Sequence, residues 1–175
     1  MAGIIIYGSQ YGTTKQYAEE LSRRTGYELR CYDAVDDLNG YDTIVYLGAL
    51  YAGGVLGMKK TFAKLMDTQS KNVMIATVGL ADPTDQENTS HIKGEMRKQL
   101  PKDLFDRAHI FHLRGGIDYS QLGLKHKTMM ALLYLKAKNL PEKEKTAEVR
   151  AMIETYNDQV SFIDFDSLDQ ILAAL

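Results

Sequence analysis

The chain has 175 residues, 45% of them hydrophobic and 25% charged, the make-up of an ordinary globular protein. A core at that length buries roughly 70% of the unfolded surface without disulfides or metal. The net charge of −2 argues against a nucleic-acid binder, and no run approaches the roughly 18 apolar residues that a bilayer span requires. The single cysteine, Cys31, excludes an intramolecular disulfide and fits a reducing cytosol better than secretion. The opening residues lack the basic segment and long apolar run of a signal peptide.

Short apolar runs alternate with helical patterns in the manner of βαβ units around a parallel sheet. Ile4, Ile5, Ile6 and Tyr7 are apolar on both faces, as a buried central strand requires. A helix is expected over 14–24, with Tyr17, Ala18 and Leu21 on one face and Gly26 closing it. Strand two, 27–32, alternates and belongs at an edge. Strand three, 43–47, leads through a glycine-rich loop to a helix over 58–66. Strand four spans 73–78, and a polar loop then gives way to a helix over 91–100 that Pro101 helps to end. Strand five spans 109–113.

The alternation stops at Gly115 and Gly116. Residues 122–139 read as an apolar helix, 141–145 as a charged turn, 146–156 as a second helix and 160–165 as extended chain. Asp166 or Ser167 is expected to cap a closing helix. The expectation is one doubly wound α/β domain over 1–175, with a five-stranded parallel sheet and a helical insertion at 117–160 before the last helix.

In open parallel sheets ligands bind beyond the carboxyl ends of the strands. The loop after strand one is Gly8, Ser9, Gln10, Tyr11, Gly12, Thr13, Thr14. Its hydroxyls, its glycines and the following helix N-terminus form a phosphate cradle of neutral donors. It lacks the Gly-Lys-Ser/Thr of a P-loop, the G-x-G of a dinucleotide fingerprint and the acids of a phosphoacceptor domain. An ordinary polar turn is the plain alternative. The loops after strands three and four shift the balance, because Tyr51 stands among small neighbours in one and Gly79 to Pro83 supply backbone amides in the other. Together the three suit a phosphorylated planar cofactor.

These residues resemble the flavodoxin family, whose phosphate turn for flavin mononucleotide (FMN) is rich in Ser and Thr around a glycine. The resemblance covers residues 1–116 and implies strand order 2-1-3-4-5. It also implies FMN as cofactor. Its phosphate would be held by Ser9, Gln10, Tyr11, Gly12, Thr13 and Thr14. Its ring would be flanked by Ala49, Leu50, Tyr51, Ala52 and Gly53, and by Gly79, Leu80, Ala81 and Asp82, with Tyr51 as the stacking side chain. The net charge is less acidic than that of electron-carrier flavodoxins. The tail resembles the flavodoxin-like protoporphyrinogen oxidases, which insert a segment there and pass electrons to a quinone.

Residues 123–150 carry seven basic and three acidic side chains, so the segment is +4 and the remainder −6. The cationic helix over 122–139 either packs on the domain or on a second subunit, or it rests on an anionic membrane or covers a flat substrate. His109 and His112, three apart on a strand, cannot share a metal. His91 and His126 read as solvated helix positions, Cys31 as a core thiol, and Asp82 as a residue that orients its own loop. Two classes of function are expected. One is an FMN-dependent redox protein, either an electron carrier or a protoporphyrinogen dehydrogenase with redox donor and acceptor partners (porphyrinogen and quinone). The other is a flavin-free binding module that uses the insertion as a partner surface.

Overall fold

In the computed structural model, which describes residues 2–51 and 53–175, β1 (Gly3–Gly8) is an interior strand of a parallel sheet. Chain order then gives α1 (Thr13–Thr25), β2 (Glu28–Cys31), β3 (Thr43–Tyr51), β4 (Gly54–Val55), α2 (Met58–Phe62) and β5 (Asn72–Gly79). These are followed by α3 (Gln86–Arg97), α4 (Lys102–Arg107), β6 (His109–Arg114), β7 (Gly116–Asp118) and α5 (Leu124–Lys138). The chain ends with α6 (Ala147–Glu154), β8 (Gln159–Ser161) and α7 (Asp169–Leu172).

Five strands run parallel in the order β2-β1-β3-β5-β6, and the short β4 pairs antiparallel with the end of β3. With β4 set aside this is the expected order 2-1-3-4-5. The β-branched runs explain it: Ile4 and Ile6 face one layer, Ile5 the other, and all three are fully buried. Ile4, Ile6, Ile44, Tyr46 and Ile75 meet Met58, Phe62, Ile92 and Met96 from α2 and α3. Ile5, Val45, Leu47 and Met74 meet Tyr17, Ala18 and Leu21 of α1 and Ile171 of α7.

Several elements differ from the sequence expectation for local reasons. α3 starts at Gln86, because Asp85 caps it by accepting from the Glu87 and Asn88 N–H groups. Pro101 does more than end a helix: it precedes α4, where its missing N–H costs nothing. α2 stops at Phe62, and Met66 is left exposed. The closing segment is capped by Asp164, which accepts from Asp166 N–H, and not by Asp166 or Ser167; its α-helical part is only α7. Gly26 closes α1 as expected, at φ 72, with its N–H donating to Ser22. Cys31 ends the edge strand β2 half-buried, outside the core. β7 and β8 pair antiparallel, so the chain leaves and rejoins the body of the fold at one place.

His112 on β6 shares a hydrogen bond with Thr77 at Nδ1 (2.7 Å), while its buried Nε2 has no partner among the described residues. Protonation would place an unpaired N–H in the interior. Burial, with Lys93 as a lesser influence, lowers the imidazole pKa to about 4. The unfolded chain holds this group near about 6.5. Between those values the unfolded state binds more protons, so stability is complete above pH ~6.5 and declines as the pH falls toward ~4. Allowing for partial solvent screening, the His112 share is about 2 kcal/mol. The check is the urea midpoint at pH 7 and pH 4.5 for wild type and His112→Asn, the variant losing less stability on acidification.

Candidate functional site

The carboxyl edge of the sheet opens into one cavity of about 570 Å³, within the range of cofactor pockets. At one end stands the turn after β1. Gly12 takes a left-handed conformation at φ 91 and starts α1 with no side-chain cap and no acid in the first turn. Its N–H donates to Ser9 Oγ at 3.0 Å, which folds the turn back and leaves the Ser9 proton free to donate. Thr13 Oγ1 donates to the Gly116 carbonyl at 3.0 Å, so this hydroxyl braces β7. Ser9 and Thr14 reach the cavity, and the first N–H groups of α1 have no acceptor within the helix. Lys15 pairs with Glu19 on the exposed face. The donor set is therefore neutral and dipolar, which fits a phosphate ester.

At the other end are Ala49, Leu50, Tyr51 and Gly53, with Gly79 and Leu80 opposite. The first group is not a free loop: β3 continues to Tyr51 and turns into β4, pairing Leu50 with Val55 and Tyr51 with Gly54. Tyr11 and Thr13 also line the space. Of the remaining expected residues, Gln10 bonds His126 outside the lining, Gly12 serves as the helix cap, and the Ala81 N–H is bonded to Glu148. Asp82 accepts from the N–H and hydroxyl of Thr84 and so orients its own loop. Those bonds hold its carboxyl below the usual range. Ala52 lies outside the described residues.

The wall that the sequence did not disclose comes from α3, α5 and α6. His91, Ile92, Glu95, Met129, Met130, Leu133, Val149 and Met152 all face the cavity. The segment between β7 and β8 is tied to each of the three loops. At the turn after β1, Gln10 Nε2 meets His126 Nε2 at 2.8 Å and Tyr11 donates to Met130 Sδ at 3.4 Å; after β3, Tyr51 donates to Met129 Sδ at 3.3 Å; after β5, the Leu80 and Ala81 N–H groups donate to Glu148. Burial, with Tyr51 nearby, raises the Tyr11 hydroxyl above its ordinary range, so it stays a donor. His126 is therefore half-buried against Gln10 and edge-on to Tyr11, not a solvated position. Arg114 Nε donates to the Leu80 carbonyl at 2.9 Å while its guanidinium stacks on Phe162 at 3.7 Å. Nothing in sequence spacing links residues so far apart; the basic, methionine-rich run was the one available signal.

α5 has two sides. Met130 and Ala137 are buried against the domain, whereas Leu124, Leu132 and Leu135 are exposed, among Lys125, Lys127 and Lys138. Among the described residues, no helix is long and apolar enough to cross a membrane.

Fold and cavity define a doubly wound α/β protein whose cavity is lined by the hydroxyl-rich turn at the start of α1 and by the small residues beside Tyr51. The family described as Flavodoxin domain matches residues 4–144, and the chain belongs to it. This membership supports FMN as the cofactor of the site. No curated protein sequence matches the chain. Among solved structures, the chain is similar to a point mutant of flavodoxin from Pseudomonas aeruginosa, at 16% identity over 79% of this chain and 97% of that one, TM-score 0.41. It is similar to a flavoprotein in complex with FMN from Lactobacillus acidophilus NCFM, at 14% identity over 65% and 91% of the two chains, TM-score 0.43. It is also similar to oxidised flavodoxin 2 from Bacillus cereus, at 13% identity over 88% and 94%, TM-score 0.37.

Proposed function

We propose that the protein is an FMN-dependent oxidoreductase that takes electrons from a largely hydrophobic donor and passes them to a quinone, with a porphyrinogen as the donor. The observation that carries this reading is the cavity: a neutral phosphate cradle at the start of α1 opens into a chamber walled by Met129, Met130, Leu133 and Met152. Ser9, Thr14 and the first N–H groups of α1 would hold the phosphate. Ala49, Leu50, Tyr51, Gly53, Gly79 and Leu80 would flank the ring. When bound, FMN supplies the electron-transfer chemistry.

The chain's own part is to exclude water and admit a bulky, largely hydrophobic substrate. Methionines suit that task, because thioether side chains adapt to varied apolar ligands. The exposed leucines of α5 between lysines favour contact with an anionic lipid surface, where quinones dissolve. An electron carrier would have little use for such a chamber.

The test has two stages. A visible spectrum of the purified protein with added FMN should show near-stoichiometric binding and bands displaced from those of free FMN. Oxidation of protoporphyrinogen, whose six electrons and six protons reduce three quinone molecules to quinol, should then turn over, and faster with anionic vesicles. Flavin binding without turnover removes the porphyrinogen and quinone and leaves the redox protein. A colourless protein indifferent to FMN removes both.

A further inference from the structure

Glu148 stands in the first turn of α6, beyond the stretch that matches the family. Its Oε1 accepts from the Leu80 N–H at 2.5 Å and its Oε2 from the Ala81 N–H at 3.0 Å. The carboxylate lines the cavity and presses on Gly79, where a Cβ would lie 2.9 and 3.0 Å from its two oxygens. Two consecutive amides that converge on one carboxylate at the cavity wall can read two adjacent acceptor atoms. A carboxylate presents such a pair, and so does the edge of a planar heterocycle where a ring nitrogen adjoins a carbonyl.

The element that carries Glu148 is lightly held. α6 buries no residue fully, and its neighbours Glu142 and Lys145 pair with each other at 2.6 Å, leaving Glu148 without an ion pair among the described residues. Leu80, by contrast, is fixed through its carbonyl by Arg114. The amides are thus anchored while their occupant can leave at small cost in packing.

We propose that Glu148 is an internal occupant of the Leu80 and Ala81 amides, which a planar cofactor ring takes over by displacing it, so that Glu148 sets the affinity of the ring end of the site. This rests on the FMN reading above. Once displaced, the carboxylate is rehydrated and α6 moves away from the loop after β5.

The experiment compares wild type, Glu148→Gln and Glu148→Ala. FMN and lumiflavin, which is the ring without phosphate, are titrated by fluorescence quenching, and the Leu80 and Ala81 amide signals are followed by NMR. Removing the occupant should tighten lumiflavin binding on the order of tenfold in Glu148→Ala, the scale of two charge-assisted hydrogen bonds net of hydration. Glu148→Gln, which keeps the side chain's size, should fall between and serves if the alanine variant unfolds. In wild type, FMN should shift both amide signals, and the apo alanine variant should already differ there from apo wild type. Equal or weaker lumiflavin binding by folded variants, with FMN bound by all, overturns the inference and leaves the FMN reading intact. Failure of every protein to bind either flavin overturns the FMN reading and the inference with it.

Discussion

Replacing Ser9 with alanine and Thr14 with valine in one protein should weaken FMN binding by roughly 10²- to 10⁴-fold while leaving riboflavin affinity within about twofold of wild type, because each hydroxyl lost from a phosphate dianion is worth about 1.5–3 kcal/mol. Ser9 is chosen because it accepts the Gly12 N–H and keeps its own proton for a ligand. Thr14 is 1% exposed yet borders the cavity, and valine keeps its volume. Thr13 is left in place, since its hydroxyl braces the Gly116 carbonyl and its loss would disturb β7 as well. Isothermal titration with the two flavins separates a phosphate contact from general damage. Equal loss for both flavins would mean that the turn only shapes the cavity.

Tyr17→Phe should lower stability by about 1–3 kcal/mol, since two part-buried backbone groups lose their partner at once. The Tyr17 hydroxyl donates to the Arg114 carbonyl at 2.7 Å and accepts from the Asp164 N–H at 2.9 Å. The side chain is fully buried and meets Phe165 edge-on at 5.7 Å. One hydroxyl on α1 therefore joins the end of β6 to the returning chain. Tyr17→Ala should cost more, because the ring's volume is lost as well. Urea denaturation gives both values. A phenylalanine variant as stable as wild type would show that water replaces the hydroxyl at both groups.

The strands of the sheet were legible because their signals are local. A run such as Ile4 to Ile6 is apolar on both faces, and only a strand covered on both sides buries it whole. Gly26 likewise marked the end of α1 through its own backbone conformation. α3 was misplaced because residues 86–90 carry no apolar period, and the cap that starts it is one side chain, Asp85. α4 was missed because a proline that ends one helix equally introduces the next. The loop after β3 hid a hairpin, since its pairing partners Gly54 and Val55 have no strand pattern of their own.

The residues of the site divide along the same line. Ser9, Gly12 and Thr14 were visible from the order strand, hydroxyl-rich turn, helix, since that order alone brings N–H groups and hydroxyls together. Gln10 and His126, 116 residues apart, meet only because the segment after β7 folds back over the turn. Glu148 is in sequence only one of the three acids of residues 123–150, yet it sits on two amides 67 and 68 residues away. Sequence alone determined the parallel sheet and the hydroxyl-rich turn after β1, because hydrophobic period and turn chemistry act between near neighbours. The tertiary structure decided what covers the cavity, because that depends on where a chain with no strong period of its own comes to rest.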